Sequence, residues 1–150
     1  ICAGAKSILD LPRTLEYLET KGVCVIGYKT DYLPQFFTAE SEYRLNTRMD
    51  CVEDICSLIH TKENLGLKGG VLITNPIPKE NSMDKSYIDT LIEKAVKEAN
   101  EKGIKGKEVT PFLLAKIVEE SHGASLKANI ALVYNNAKLG AKLAVAYCNE

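Results

Sequence analysis

A lysine close to the start of the chain is the residue with the clearest chemical potential. Lys6 follows Gly4 and Ala5 at the end of an apolar stretch and has apolar residues nearby on both sides. Loss of hydration there disfavours the ammonium form and lowers the pKa of a lysine below its usual ~10.4. The neutral amine can attack a carbonyl carbon, and the resulting iminium acts as an electron sink. Lys6 is therefore a candidate nucleophile, and from spacing alone a surface lysine beside a turn is the more common explanation of such a position.

Two further polar residues follow apolar runs that we interpret as buried strands. Asp31 comes shortly after one run, and Asn75 comes directly after another. Ligands of parallel α/β sheets gather at the carboxyl ends of the strands. Both residues are therefore candidates for a site shared with Lys6, with a turn residue as the alternative for Asp31 and a strand-end cap as the alternative for Asn75.

The last predicted helix carries asparagines among alanines and leucines. Asn129 and Asn136 are seven residues apart, which is two helical turns, so they share one face of the helix. An unpaired amide on a packed apolar face is unfavourable. We expect one of them either to line a polar pocket or to bond to a neighbouring loop.

Other residue patterns give no support for a bound cofactor or a metal site. The glycine-containing segments match neither the dinucleotide fingerprint nor the P-loop. His60 and His122 lack partners at metal-ligand spacing. Cys51 and Cys56 are five apart, which is neither a redox pair nor a zinc spacing. We expect reduced, mostly buried thiols and a cytoplasmic location.

Length and charge exclude several classes of protein. The chain has 150 residues with 19 basic and 20 acidic side chains, a net charge of −1. This balance argues against a nucleic-acid binder with a basic face and against a polybasic membrane anchor. No apolar run approaches the roughly 18–20 residues that span a bilayer. The apolar start at Ile1 resembles the end of a strand, so we expect a C-terminal portion of a longer protein or a processed chain.

Strand patterns alternate with helical patterns in the first half, and the second half is helical. This order predicts a three-layer α/β/α fold with a largely parallel or mixed central sheet and a helical C-terminal part. The strands are predicted at 23–26 and 71–73. The helices are predicted from Asp10 to Gly22, Asp50 to Asn64, Asp84 to Lys102, Thr110 to Ser121 and Ser125 to Cys148. Asp10, Asp50, Asp84 and Thr110 are the predicted N-caps of the first four helices.

Several stretches together resemble one known family. They are ICAGAKSILDLPRTLEYLET, GVCVIGYKTDYLPQFF, LGLKGGVLITNPIP, KGKEVTPFLL and SLKANIALVYNNAKLGAKLA. In this order they resemble the pseudouridine-5′-phosphate glycosidases, also called the indigoidine synthase A-like family. The resemblance covers essentially residues 1–150 and corresponds to about the C-terminal half of a family member.

The resemblance implies an activity and an assembly. Family members reversibly cleave the C–C glycosidic bond of pseudouridine 5′-phosphate to uracil and ribose 5-phosphate. They use a divalent metal, typically Mn²⁺, and form homotrimers with an α/β/α fold. The general acid, the metal ligand and most phosphate contacts precede the AGAKS motif in the family, so no metal ligand is expected in this chain. We therefore expect the chain to need its N-terminal half or a companion chain.

The resemblance also assigns roles to residues. Lys6 falls on the family's nucleophilic lysine, and Asn129 falls on an asparagine that assists it. We add four candidate substrate-binding residues, namely Ser7, Asp31, Asn75 and Thr110.

The chemistry is consistent with a lysine nucleophile, because carbon is a poor leaving group without an electron sink. Lys6 attacking C1′ of an opened ribose would carry the sugar as an imine, and protonation of uracil C5 would release the base. Two alternatives stay open: a non-catalytic scaffold of the same fold, and a Schiff-base aldolase acting on another sugar phosphate.

Overall fold

The computed structural model describes residues 1–5 and 9–149. Its strands are β1 (Cys24–Tyr28), β2 (Thr47–Met49) and β3 (Val71–Thr74). Its α-helices are α1 (Leu11–Thr20), α2 (Val52–Asn64), α3 (Lys85–Glu101), α4 (Val109–Glu120) and α5 (Ala124–Asn149). Within these residues, no helix combines the length and apolarity needed to cross a bilayer.

The sheet is parallel, with the strand order β2-β1-β3. Ile26 in the central strand lies opposite Thr47 on one side and Ile73 on the other. The start of the chain extends the β3 edge, because the Cys2 N–H donates to the Ile73 carbonyl at 3.0 Å and the Asn75 N–H donates to the Cys2 carbonyl at 2.7 Å. The apolar first residues therefore prolong the sheet beside β3.

Helices cover both faces of the sheet, which confirms the predicted three-layer fold. On one face, Ile26 and Ile73 are buried against α2 and α5. On the other face, α1 contributes Leu11 to a cluster with Val25 of β1. The α3–α4 pair shares a third cluster with the first half of α5 and with Ala3.

Two predicted helix starts are confirmed. The Asp10 carboxylate accepts the Arg13 N–H at 3.1 Å at the start of α1, and the Asp84 carboxylate accepts the Tyr87 N–H at 2.8 Å at the start of α3. A carboxylate at this position accepts a backbone N–H that has no partner within the helix.

Three predictions at loops were wrong. Cys51 rather than Asp50 is the N-cap of α2, because the Asp50 carboxylate is bonded to Arg48 instead. Thr110 lies within α4, whose N-cap is Glu108. No strand was predicted between 26 and 71, yet Thr47–Met49 form β2, whose three residues are half-exposed or exposed and therefore give no apolar run that would mark a strand.

Candidate functional site

A cavity of about 370 Å³ lies where β1 and β3 end. Its walls come from the residues that follow both strands, from the loop at 39–40 and from α5. The polar side chains that line it are Lys29, Thr30, Glu40, Asn75, Lys79, Asn135 and Lys142. The predicted carboxyl edge of the sheet is therefore a concave polar surface.

The turn after β1 is tight because Gly27 has no side chain. A Cβ at Gly27 would lie 2.2 Å from the Thr30 carbonyl oxygen, so the chain folds back over the glycine. Lys29 takes a left-handed backbone conformation with φ 58°. The buried Thr30 hydroxyl donates to the Tyr32 carbonyl at 2.9 Å and accepts the Tyr32 N–H at 3.1 Å, which fixes the turn.

Amide side chains tie α5 to the loop that follows β3. The Asn75 Nδ2 donates to Asn136 Oδ1 at 3.1 Å, and the Asn135 Nδ2 donates to the Pro76 carbonyl at 2.8 Å. Asn75 is only 5% exposed. Asn136 thus takes the loop-bonding alternative of the sequence analysis, and Asn75 is a buried residue of the cavity wall.

The residues before Lys6 are anchored on the loop at 34–36. Gly4 forms an antiparallel bridge with Gln35, and the Ala3 carbonyl accepts the Phe36 N–H at 3.0 Å. Lys6 and Ser7 themselves lie outside the described residues. The chain leading to them is held at the same edge of the sheet as the cavity, since Cys2 pairs beside Thr74, the last residue of β3.

Asn129 is half-buried on α5, two turns before Asn136. It directly follows Ala128, which is buried in the same cluster as Ala3. The face of α5 that carries Asn129 therefore runs from the Asn75 contact towards the segment 1–5.

Asp31 and Thr110 are not brought into the cavity. The Asp31 carboxylate lies 2.7 Å from the Arg48 guanidinium, which also contacts Asp50 at 3.0 Å. The Arg48 guanidinium donates these hydrogen bonds, and the accepting carboxylates, first Asp31 and then Asp50, raise the pKa of Arg48. Thr110 lies in the first turn of α4, which packs against α3.

The charge of the cavity wall was missed by the sequence analysis. Lys29, Lys79 and Lys142 line the cavity, and Glu40 is the one acidic residue among its lining residues. The excess of positive charge favours an anionic ligand. Lys142 could have been found, because it lies seven residues after Asn135 and so on the same face of the helix.

The acidic side chains that the structure describes form no cluster of metal ligands by themselves. In the part of the chain that the structure describes, no group of three or more His, Cys, Asp or Glu side chains could hold a metal ion. Cys51 lies at the start of α2 beside Asp54, whose carboxylate accepts from the thiol and raises its pKa. The described side chains therefore do not fit a Mn²⁺ site.

Comparison with known proteins places almost the entire chain in one family. The family model for indigoidine synthase A like protein matches residues 1–146. A pseudouridine-5′-phosphate glycosidase of Staphylococcus aureus (strain MW2) is 59% identical over 146 residues, which are 97% of this chain and 48% of that protein. One of Glaesserella parasuis is 60% identical over 147 residues, covering 98% of this chain and 49% of that protein.

Solved structures agree with the fold. The prealnumycin C-glycosynthase AlnA, in complex with ribulose 5-phosphate, matches with a TM-score of 0.87 and 34% identity over 97% of this chain and 48% of its own. An indigoidine synthase A-like protein of Thermotoga maritima matches with a TM-score of 0.86 and 38% identity over 95% of this chain and 47% of its own. The chain spans about half the length of these relatives.

Proposed function

Because this chain belongs to the indigoidine synthase A-like family, we propose that it supplies half of an enzyme that cleaves the C–C glycosidic bond of pseudouridine 5′-phosphate. The supporting observation is the 59% identity to a pseudouridine-5′-phosphate glycosidase across 97% of the chain. At this identity the two chains share one fold throughout the matched part. The products of the proposed reaction are uracil and ribose 5-phosphate.

Lys6 is the proposed nucleophile. Its Nζ bonds to C1′ of the ribose as the C1′–O4′ bond breaks, and O4′ takes the proton that the nitrogen gives up, which leaves a neutral amine on C1′. The nitrogen lone pair then forms a C=N bond as the C1′–C5 bond breaks, and a proton is delivered to C5 of the departing uracil. Water finally hydrolyses the imine, which releases ribose 5-phosphate and the free amine.

The described residues contribute binding and position. The lysines of the cavity wall attract an anionic sugar phosphate to this edge of the sheet, where the chain leading to Lys6 is anchored. Asn75 holds α5 against the edge through Asn136. Asn129, on the same helix, is the proposed assisting amide. Ser7 is a proposed substrate-binding residue, whereas the positions of Asp31 and Thr110 give their proposed binding roles no support.

The rest of the site belongs to the proposed N-terminal half. Since the described residues do not fit a Mn²⁺ site, we propose that its ligands and the general acid lie in the part of the relatives that this chain does not match. We also propose a homotrimer in the cytoplasm. The five free cysteines are compatible with a reducing compartment.

A second candidate function is a non-catalytic scaffold. A Schiff-base aldolase on another sugar phosphate is a third candidate, since a structural relative is described in complex with ribulose 5-phosphate. The release of uracil separates the glycosidase from both.

The test is a chimaera in which this chain follows the remaining half of the Staphylococcus aureus relative. We expect it to release uracil from pseudouridine 5′-phosphate, and borohydride with ribose 5-phosphate should add the sugar mass at Lys6. Lys6→Ala should abolish both signals. Lys94→Ala, an exposed lysine on α3, is the matched control and should leave both unchanged. Normal uracil release by Lys6→Ala, or an adduct at another lysine, would disprove the assignment.

A further inference from the structure

The helix α5 is apolar on two opposite faces. Its inner face buries Ala128, Leu132, Leu139 and Leu143 against the rest of the fold. Its outer face exposes large apolar side chains to solvent. These are Leu126, Ile130, Val133, Tyr134 and Val145, with relative exposures of 48%, 50%, 57%, 66% and 63%.

The outer residues form one continuous stripe. Their spacing of three, four or eleven residues returns to the same side of the helix, and the longest interval is bridged by Ala137 and Ala141, which are also exposed. We call this set of seven residues the α5 stripe. A surface helix normally shows an apolar side and a polar side, whereas a helix that is apolar all round is normally buried.

The stripe continues into a groove at the carboxyl end of α5. The groove has a volume of about 850 Å³. Val52 of α2 and Ala141, Val145 and Ala146 of α5 form an apolar part of its wall, and its charged lining residues are Lys29, Asp50, Glu53 and Lys142. An exposed apolar strip of this length that continues into a partly apolar groove is typical of an interaction surface.

Charge on α5 restricts what can cover the stripe. The helix has no acidic residue, and its charged side chains are Lys127, Lys138 and Lys142, all on one flank of the stripe. If two copies of the chain paired through this stripe in the antiparallel manner of a two-fold contact, each lysine flank would face its equivalent. Like charges so placed repel one another.

The relatives indicate a different occupant. This chain matches almost throughout, yet it accounts for only 47–48% of each structural neighbour. Each relative thus contains a further stretch of similar length, long enough to cover an exposed apolar face of the matched half. We propose that the α5 stripe is the docking surface for this additional half, which carries acidic residues along the rim that meets the three lysines. The inference rests on the proposed function only in that the same half completes the active site.

Binding between separate halves tests the inference without reference to catalysis. The purified chain is titrated with the remaining half of the Staphylococcus aureus relative, and Kd is measured by calorimetry. Val133→Glu and Ile130→Glu are expected to raise Kd by about 30-fold or more, because each places a charge in the apolar contact. Val96→Glu is the matched control, since Val96 is a 36% exposed valine on α3. It should leave Kd within about threefold, and circular dichroism checks that all variants remain helical.

A labelling experiment covers the case in which the separate halves do not fold. In the full-length chimaera, a cysteine introduced by Val133→Cys should be protected from a maleimide reagent, and one introduced by Val96→Cys should react. In the 150-residue chain alone, both should react.

Three results would overturn the inference. They are unchanged binding by both glutamate variants, free labelling of Val133→Cys in the chimaera, and an oligomer of the 150-residue chain that Val133→Glu dissociates. The last result would assign the stripe to a second copy. A chimaera that protects the stripe but releases no uracil would instead contradict the proposed function and leave the docking surface standing.

Discussion

The long helices α3 and α5 differ in what their outer faces present to solvent. On α3, Ile88, Leu91 and Ala95 face the core, while Glu98 pairs with Lys102 at 2.7 Å and with Lys116 of α4 at 3.3 Å. On α5, the outer face is the apolar stripe. The outer face of α3 is therefore charged and suited to contact with water. The outer face of α5 is instead apolar, as in a helix that is packed on both sides.

The largest expected effect is a difference in how much two isoleucine-to-alanine substitutions lower the free energy of unfolding. Ile88→Ala on α3 should lower the free energy of unfolding by about 2–5 kcal/mol, because a side chain that is 1% exposed leaves a cavity in the core. Ile130→Ala on α5 should cost less than about 0.5 kcal/mol in the 150-residue chain, because its side chain is half-exposed. Urea denaturation measures both. Equal losses would show that the outer face of α5 is already packed in this chain.

A polar contact on α5 should give the next largest effect. Asn136→Ala removes the partner of the buried Asn75 Nδ2 and should cost about 1–3 kcal/mol. Asn129→Ala should lower the free energy of unfolding of the 150-residue chain by less than Asn136→Ala does. In the chimaera, Asn129→Ala should slow the release of uracil although the protein stays folded. If the two substitutions are equally destabilising, Asn129 has a packing role rather than the proposed role at the active site.

The N-cap of α3 should give a smaller effect that depends on pH. Bonds from the Ser86 hydroxyl and then from the Tyr87 N–H lower the pKa of Asp84. A lowered folded-state pKa adds stability above the unfolded pKa of ~3.9, and this stability is lost as the pH falls through the folded value. Asp84→Ala should lower the urea midpoint at pH 7.

Asp84→Asn separates the cap from the charge. Asparagine also caps helices well, so the urea midpoint of this variant should be close to that of the wild type at pH 7. Between pH 5 and 3, the midpoint of the variant should fall less than that of the wild type. A wild-type midpoint that falls no more steeply with acid than that of Asp84→Asn would rule out the contribution of the charge.

The ionic surface of α3 should give the smallest effect. Lys102 and then Lys116 lower the pKa of Glu98, so its contribution is present at neutral pH and disappears as the pH falls below the unfolded value of about 4.3. Glu98→Gln should lower the melting temperature slightly at low ionic strength, and the difference should vanish in 1 M salt because exposed pairs are screened. A difference that persists in 1 M salt would point to packing by the Glu98 side chain.

Local patterns predicted the elements whose causes are local. Asp10 and Asp84 were identified as caps because a cap needs only the helix that follows it. The strand β2 was not predicted because its three residues are half-exposed or exposed and adopt a strand conformation only through pairing with β1. Asp50 was misassigned as a cap because its partner, Arg48, precedes the helix and draws the carboxylate away.

The candidate site was predictable in outline but not in composition. Asn75 was placed correctly at the carboxyl edge, because the end of a buried strand fixes that position. Lys29, Lys79 and Lys142 converge on the cavity from three separate parts of the chain. The spacing of residues within one helix or strand cannot predict that three distant segments line the same cavity. Asp31 was taken as a candidate for the same edge, yet its pairing with Arg48 draws it into an ion pair outside the cavity.

Gly4 has a consequence for mutational libraries of this enzyme family. Its φ is +89°, and a Cβ at this position would lie 1.6 Å from the Pro34 carbonyl oxygen, with no flexible side chain to move aside. Randomising the first residues and selecting for a folded protein should therefore return glycine at this position even when the assay ignores catalysis. An invariant glycine at position 4 would then reflect the close approach of the Pro34 backbone. It would not be evidence that residue 4 takes part in catalysis.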